Sequence, residues 1–325
     1  MQAYVLEKGK LHVTTMPEPK AKDGEVIVRL KVAGLNRRDL YIENRVGVKD
    51  DPLILGSDGA GVIEDVGAGV TDWKVGDEVI INPSLGWDQN SAVPPEGYEI
   101  LGMPDDGTLA EKIAISAEQI EKRPSSFSWE EAGVLALAGL TGYRALFTRG
   151  NVQRGDTVFI PGAGSGVASF LIQFAKAAGA RVIVTSRDEK KREAALELGA
   201  HRAIATESDW AEELKDEMID LVIESVGAAT FNRSLQVVQR GGTIVVFGAT
   251  TEDVVSLNLR DFFYGQYNLL GSTMGSREEL REMIQFCESN DIKPVVGKTF
   301  PLTRCSEAFQ FLKENKQFGK IAITM

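Results

Sequence analysis

Hydrophobic positions along the chain follow two patterns, and the change between them falls after Ser126. Before it, apolar residues alternate with polar ones in short runs punctuated by glycine. Glu25-Val26-Ile27-Val28-Arg29-Leu30-Lys31-Val32 has the period-two spacing of a half-buried strand. Residues 59–66, 76–81 and 108–115 predict three more. Several short strands with glycine turns predict a small barrel-like domain. Beyond Ser126, residues 129–149 are rich in Ala, Leu and Glu and predict helix, interrupted at Gly139 and Gly142.

Strand and helix then alternate. Thr157-Val158-Phe159-Ile160 predicts a strand. Residues 166–179 predict a helix, because Val167, Phe170, Leu171, Phe174, Ala175 and Ala178 recur at helical spacing and Gly179 suits a C-cap. Residues 181–184 predict the next strand, and 188–198 a second helix closed by Gly199. Further strands are predicted at 219–223, 243–247 and 268–271. This alternation predicts an α/β fold built on a doubly wound parallel sheet. After Gly275 one more helix is expected, then a strand at 320–324 returning to the first domain. The expected division is 1–122 with 276–325 as one domain and 123–275 as the other. A length of 325 residues suits two cores better than one.

Composition narrows the classes. The chain is 43% hydrophobic and 26% charged, an ordinary globular balance. No run of 18 apolar residues exists to span a membrane, and Met1 to Lys8 does not read as a secretory signal. The only two cysteines, Cys287 and Cys305, fit a reducing, cytoplasmic setting. Asn232-Arg233-Ser234 matches a glycosylation acceptor, a chance match without a secretion signal. A net charge of −11 argues against broad binding to nucleic acid or anionic membranes.

The first candidate chemistry is Pro161-Gly162-Ala163-Gly164-Ser165-Gly166-Val167-Ala168, between the first strand and first helix of the alternation. Glycines allow a tight turn and close approach to a pyrophosphate, and the helix N-terminus offers N–H groups and a positive dipole end. That context predicts a Rossmann dinucleotide site. No Gly-Lys-Ser/Thr follows, which disfavours a mononucleotide P-loop. The second strand leads into Ser186-Arg187-Asp188-Glu189-Lys190. An acid here suits the ribose hydroxyls of NAD, whereas Arg accommodates the extra phosphate of NADP. Ser186, Arg187 and Lys190 predict NADP(H). Asp188 and Glu189 are the complication, since either is able to serve as an NAD-type acid.

Further landmarks run the length of the chain. They are Gly56-Ser57-Asp58-Gly59-Ala60-Gly61, Val75-Gly76-Asp77-Glu78-Val79, Gly107-Thr108-Leu109-Ala110-Glu111, Gly139-Leu140-Thr141-Gly142-Tyr143, the glycine loop and Glu224-Ser225-Val226-Gly227. In this order and spacing, the chain resembles the medium-chain dehydrogenase/reductase superfamily. The resemblance implies a GroES-like β-barrel domain, a Rossmann domain and a cleft between them for nicotinamide and substrate. It also implies a homodimer or homotetramer, with dimers joined near residues 268–274.

Zinc alcohol dehydrogenases of that superfamily carry Cys where this chain has Asn36, and Gly-His-Glu where it has Gly56-Ser57-Asp58. Residues 86–103 hold no cysteine of a structural zinc lobe, and His12 and His201 match no ligand position. No metal is therefore expected, and the chain resembles the zinc-free quinone oxidoreductase branch. There Asn36, followed by Asp39 and Tyr41, matches a motif beside the nicotinamide, and Ala163 and Gly166 fit the branch's loop form. By the same resemblance Thr141, Phe247 and Gly248 lie near nicotinamide, Thr206 and Ser225 near the adenosine half, and Lys320 near the pyrophosphate. Arg37 and Arg38 depart from the small or apolar residues common after this Asn.

The implied reaction is hydride delivery from NADPH to a quinone or an α,β-unsaturated carbonyl. Asn36 is the expected oxyanion donor and Tyr41 a hydrogen-bond donor or proton relay. Two alternatives stay open: a metal-independent carbonyl or alcohol dehydrogenase, and an NADPH-binding protein with little turnover.

Overall fold

The computed structural model describes residues 1–46 and 51–325. They form two compact units, one made of residues 1–140 and 275–325 and the other of 141–274.

The second unit carries a six-stranded sheet in the spatial order Arg202–Ala205, Arg181–Ser186, Thr157–Ile160, Ile219–Glu224, Val238–Val246, Asn268–Gly271. Every adjacent pair is parallel. Numbered along the chain, the order is 3-2-1-4-5-6, the dinucleotide-binding arrangement, whose chain reversal lies beside the first strand. The helix Gly166–Ala177 buries Phe170, Leu171, Phe174 and Ala175, the stripe its spacing predicts. Below the sheet, Phe159 meets Trp210 edge-on at 5.1 Å within a core that includes Ile183, Val222 and Ile244.

The first unit is a GroES-like β structure. Its main sheet runs Ile120–Lys122, Glu78–Ile81, Asp58–Val66, Glu25–Leu35, Lys320–Thr324, Val296–Pro301, with Lys112–Ser116 also pairing onto Glu25–Leu35. Two apolar layers fill it, one around Val28, Ile63 and Ile113, the other around Tyr4, Leu55, Phe309 and Ile323. The returning C-terminal strand pairs Ile321 with Leu35 and Ile323 with Ala33.

Three expectations are corrected. Residues 123–140, expected in the dinucleotide domain, belong to the first unit: Val134 packs against Val32 and Ala322, with Trp129 beside them. Gly139 and Gly142 do not break the helix Ala136–Tyr143; the interruption falls before it, at Val134 and Leu135. The C-terminal segment holds two helices rather than one, Arg277–Ser289 and Cys305–Lys313, separated by the strand Val296–Pro301. Ser276 starts the first of these with a capping box closed by Glu279. Cys287 and Cys305 are buried free thiols; burial pushes the Cys287 thiol up to about 12. Among the described residues, no helix is long and apolar enough to cross a membrane.

Candidate functional site

In the first unit a group of polar side chains lies buried where the barrel strands meet the first turn of Ala136–Tyr143. Asp58, at the start of its strand, is fully buried. Its Oδ1 accepts from the backbone N–H of Leu137 at 2.7 Å, a carboxylate at a helix N-terminus. Its Oδ2 accepts from Asn36 Nδ2 at 3.0 Å and from Lys320 Nζ at 2.9 Å. Lys320 also donates to Asn36 Oδ1. Asn36 precedes the 3-10 turn Arg37–Tyr41, and its backbone N–H donates to Asp39 Oδ2 at 2.7 Å. The second Asp39 oxygen is buried with no hydrogen-bond partner. Burial pushes the Asp39 carboxyl up to about 6, against the opposing pull of Arg38 and of the Asn36 N–H.

Arg38 completes the group. Its Nη1 donates to Ser57 Oγ at 2.6 Å and to the Leu101 carbonyl at 2.8 Å, and Nη2 reaches the Ile100 carbonyl at 3.4 Å. Ser57 in turn donates to the Leu101 carbonyl at 2.7 Å.

These contacts bear on two expected roles. Asn36 was expected to point an amide N–H at substrate, but Nδ2 is directed at Asp58 and, at 3.5 Å, at the Gly34 carbonyl, while Oδ1 takes Lys320. Its geometry is that of a group which fixes an ion pair. Lys320, which the resemblance puts near a pyrophosphate, is 3% exposed and gives two of its three donors to Asp58 and Asn36. Tyr41 stands at the end of the 3-10 turn, 39% exposed.

The second unit carries the glycine loop. Gly162 has φ +83°, open to glycine at little cost. The Ala163 N–H is held by the Thr185 carbonyl at 2.8 Å, and the Gly162 N–H reaches Thr185 Oγ1 at 3.3 Å. Ser165 caps the following helix, accepting from the Ala168 N–H at 3.0 Å. Thr206 Oγ1 meets the same Thr185 hydroxyl at 3.3 Å, so buried Thr185 joins the glycine loop to the end of the third strand. Ser186 is buried and accepts from the Asp188 N–H at 3.2 Å; Arg187 and Lys190 are exposed beside it. Asp188 is spent as helix cap, taking the Lys190 N–H at 2.9 Å. Glu189 is exposed.

Lys191 escaped the sequence reading. Its stem crosses Gly164: a Cβ there would stand 2.6 Å from Lys191 Cδ and 3.1 Å from its Nζ. Its signal was helical phase, three residues beyond the cap Asp188 and hence on the helix's first turn. Gly166 and Val167 open the helix after the loop. Ser225, Phe247 and Gly248 come together at the ends of their strands: the Phe247 N–H donates to the Glu224 carbonyl at 3.1 Å, and a Cβ on Gly248 would lie 3.7 Å from the Ser225 carbonyl. An apolar cavity of about 290 Å³ opens beside Gly248 toward Leu269 at the sheet edge. Thr141 is buried in the helix Ala136–Tyr143.

Residues 22–125 match the alcohol dehydrogenase GroES-like domain and residues 166–289 the zinc-binding dehydrogenase domain. A zinc-type alcohol dehydrogenase-like protein of Schizosaccharomyces pombe is 33% identical over 94% of this chain and 92% of its own. The chain belongs to the zinc-type alcohol dehydrogenase-like family of medium-chain dehydrogenases/reductases. It is also similar to an acryloyl-coenzyme A reductase of Metallosphaera sedula, 31% identical over the full length of both. The solved structure of an NAD-dependent alcohol dehydrogenase is 35% identical over the full length of both chains, with TM-score 0.94.

The family name implies zinc, and the donor set does not fit it. The positions in question hold an amide, a hydroxyl and one carboxylate, a poor set for a borderline-soft ion. Their oxygens are already bonded to two cations, Lys320 and Arg38. Among the described residues, no three His, Cys, Asp or Glu side chains converge. His12 lies at 3.4 Å from Glu7 on a strand surface, and His201 Nδ1 accepts the Val182 N–H.

Proposed function

We propose that this family member is an NADP(H)-dependent, metal-independent reductase of conjugated acceptors, either α,β-unsaturated carbonyls or quinones. The observation that carries the reading is that the positions matching the family's metal ligands hold Asn36, Ser57 and Asp58, and that Lys320 and Arg38 donate to them. Lys320 and Arg38 bring fixed positive charge to these side chains. The nicotinamide, when bound, supplies a hydride to the β-carbon of the acceptor; the double-bond electrons move onto the carbonyl oxygen, and a proton from solvent completes the α-carbon. The protein's tasks are then to hold the dinucleotide, orient the acceptor and stabilise the oxygen as it gains charge.

For the dinucleotide, the backbone of residues 162–167 with Ser165 would hold the pyrophosphate, and Lys191 would add charge over the same loop. Arg187, Lys190 and Ser186 would read the 2′-phosphate. The use of Asp188 as a helix cap supports NADP(H), because one of the two acids able to serve NAD is otherwise engaged. Thr206 and Ser225 would face the adenosine half, and Thr141, Phe247 and Gly248 the nicotinamide. The acryloyl-coenzyme A reductase supports a conjugated acceptor.

The alcohol dehydrogenase relatives favour a second reading, a metal-independent carbonyl or alcohol dehydrogenase. An acceptor panel separates the two: enals, enones, thioesters and quinones on one side, simple ketones and aldehydes on the other, each with NADPH and NADH. We further propose a cytoplasmic homodimer, formed through the edge strand Asn268–Gly271, beside which Leu269, Phe263 and Tyr264 are exposed.

A further inference from the structure

We infer, resting on the NADP(H) reading above, that Arg192 is the residue that fixes the preference for a 2′-phosphate, gripping that group beside Ser186 and Thr206. Every residue involved lies in the second unit.

The second strand ends at Ser186, the level at which a dinucleotide fold reads the adenosine ribose and the group on its 2′-oxygen. Arg187, Lys190, Lys191 and Arg192 follow it, and they are not held alike. Arg187 and Lys190 are exposed, and among the described residues their side chains make no hydrogen bond or ion pair. Such long side chains lose rotamer freedom when they bind. Lys191 is directed over Gly164 in the glycine loop. Arg192, one position further along the helix Glu189–Leu198, is half-buried and turned to the strand end instead. There its Nη1 donates to the Ser186 carbonyl at 2.9 Å.

The carbonyl does not need that bond. The Thr206 N–H already donates to it at 3.2 Å, where the second and third strands end together. The bond acts on the side chain, which it holds in one orientation. A guanidinium has five N–H donors, and this contact uses one. Nε and Nη2 have no partner among the described residues, and neither is sealed from solvent. No carboxylate pairs with Arg192 among the described residues: Asp188 is occupied as helix cap, and Glu189 and Glu193 are exposed. An unpaired guanidinium held in place suits a phosphate, whose oxygens accept two parallel N–H bonds.

The adjoining strand end is fixed as well. Arg233 lies 3.8 Å over the Trp210 ring and donates to the Thr206 and Ser208 carbonyls at 2.5 Å each. Both sides of the proposed phosphate position are therefore ordered before a ligand arrives, which lowers the entropy lost on binding.

The test uses the full-length protein and two adenosine fragments that differ only in the 2′-phosphate, 2′,5′-ADP and 5′-AMP, titrated by calorimetry. The wild type is expected to bind 2′,5′-ADP more tightly. Arg192→Gln is expected to weaken 2′,5′-ADP by at least about tenfold, the scale of one charge-assisted hydrogen bond to phosphate, and to leave 5′-AMP unchanged. A merely structural role would weaken both fragments. Arg192→Lys is expected to lose less than Arg192→Gln, because an ammonium keeps the charge without the fork. If Arg192→Gln fails to fold, Arg192→Lys decides. Wild-type preference for 2′,5′-ADP in the folded variants, or equal losses for both fragments, would overturn the inference. A preference lost in Arg187→Ala and kept in Arg192→Gln would remove the inference and leave the NADP(H) reading standing. A wild type that binds the two fragments equally would remove both.

Discussion

Lys320 Nζ and Asp58 Oδ2 stand 2.9 Å apart, both buried, although 262 positions separate them in the chain. The pair ties the last strand of the first unit to the strand Asp58–Val66 and, through Leu137, to a helix N-terminus. Removing one partner leaves an uncompensated buried charge, which costs about 3–5 kcal/mol. Lys320→Met and Asp58→Asn are each expected to destabilise the protein by that order in urea unfolding. The double variant is expected to cost clearly less than their sum. Strict additivity would show that the two groups are not coupled.

Asp39 sets a pH dependence of unusual sign. Its folded-state pKa is raised to about 6 from an ordinary 3.8, so the folded protein holds this proton more tightly than the unfolded chain. Its contribution is present below the unfolded value and is lost as pH rises through about 6, a change on the order of 3 kcal/mol. Unfolding free energies measured from pH 4 to 7 should show Asp39→Asn gaining on the wild type as pH rises. A constant difference across that range would place the Asp39 pKa near its ordinary value.

Cofactor choice separates into two residues. Arg187→Ala is expected to weaken NADPH by at least about tenfold and to leave NADH almost unchanged, since a charged hydrogen bond to phosphate contributes about 1.5–3 kcal/mol. Lys191 lies over Gly164, in the glycine loop proposed to hold the pyrophosphate that both dinucleotides share. Lys191→Ala is therefore expected to weaken both by similar factors in fluorescence titrations. Equal losses for both cofactors in Arg187→Ala would show that Arg187 does not read the 2′-phosphate.

The metal question has its own check. Purified protein is expected to hold far less than one zinc per chain by elemental analysis, and chelator should not shift its melting temperature. Stoichiometric zinc would return the chain to the metal-dependent dehydrogenases.

Most of the second unit was legible from periodicity alone. The helix Gly166–Ala177 and the strands beside it have strong apolar stripes, and the glycine loop sits where strand meets helix. Asn36 and Asp58 were legible as motif positions, but their use was not. Motifs carry residue identity, whereas the Asn36–Asp58–Lys320 contact depends on a C-terminal strand pairing with Ala33 and Leu35. Arg38 was visible as a departure, yet its anchors at Ile100 and Leu101 lie far along the chain and are backbone atoms. The boundary near residue 123 was misplaced because composition reports that 129–133 is helical, not that Val134 packs on Val32. The helix Cys305–Lys313 is short and lies just beyond Pro301, which masked the spacing of its buried Cys305, Ala308, Phe309 and Leu312.

The most direct measurement is the rate of NADPH oxidation by chelator-dialysed protein, with an enone and with a saturated ketone of the same skeleton. Turnover of the enone is expected to survive dialysis in full, with NADPH preferred over NADH and the ketone left essentially unreduced. Activity confined to the ketone, or activity lost on dialysis and restored by zinc, would contradict a metal-independent reductase of conjugated acceptors.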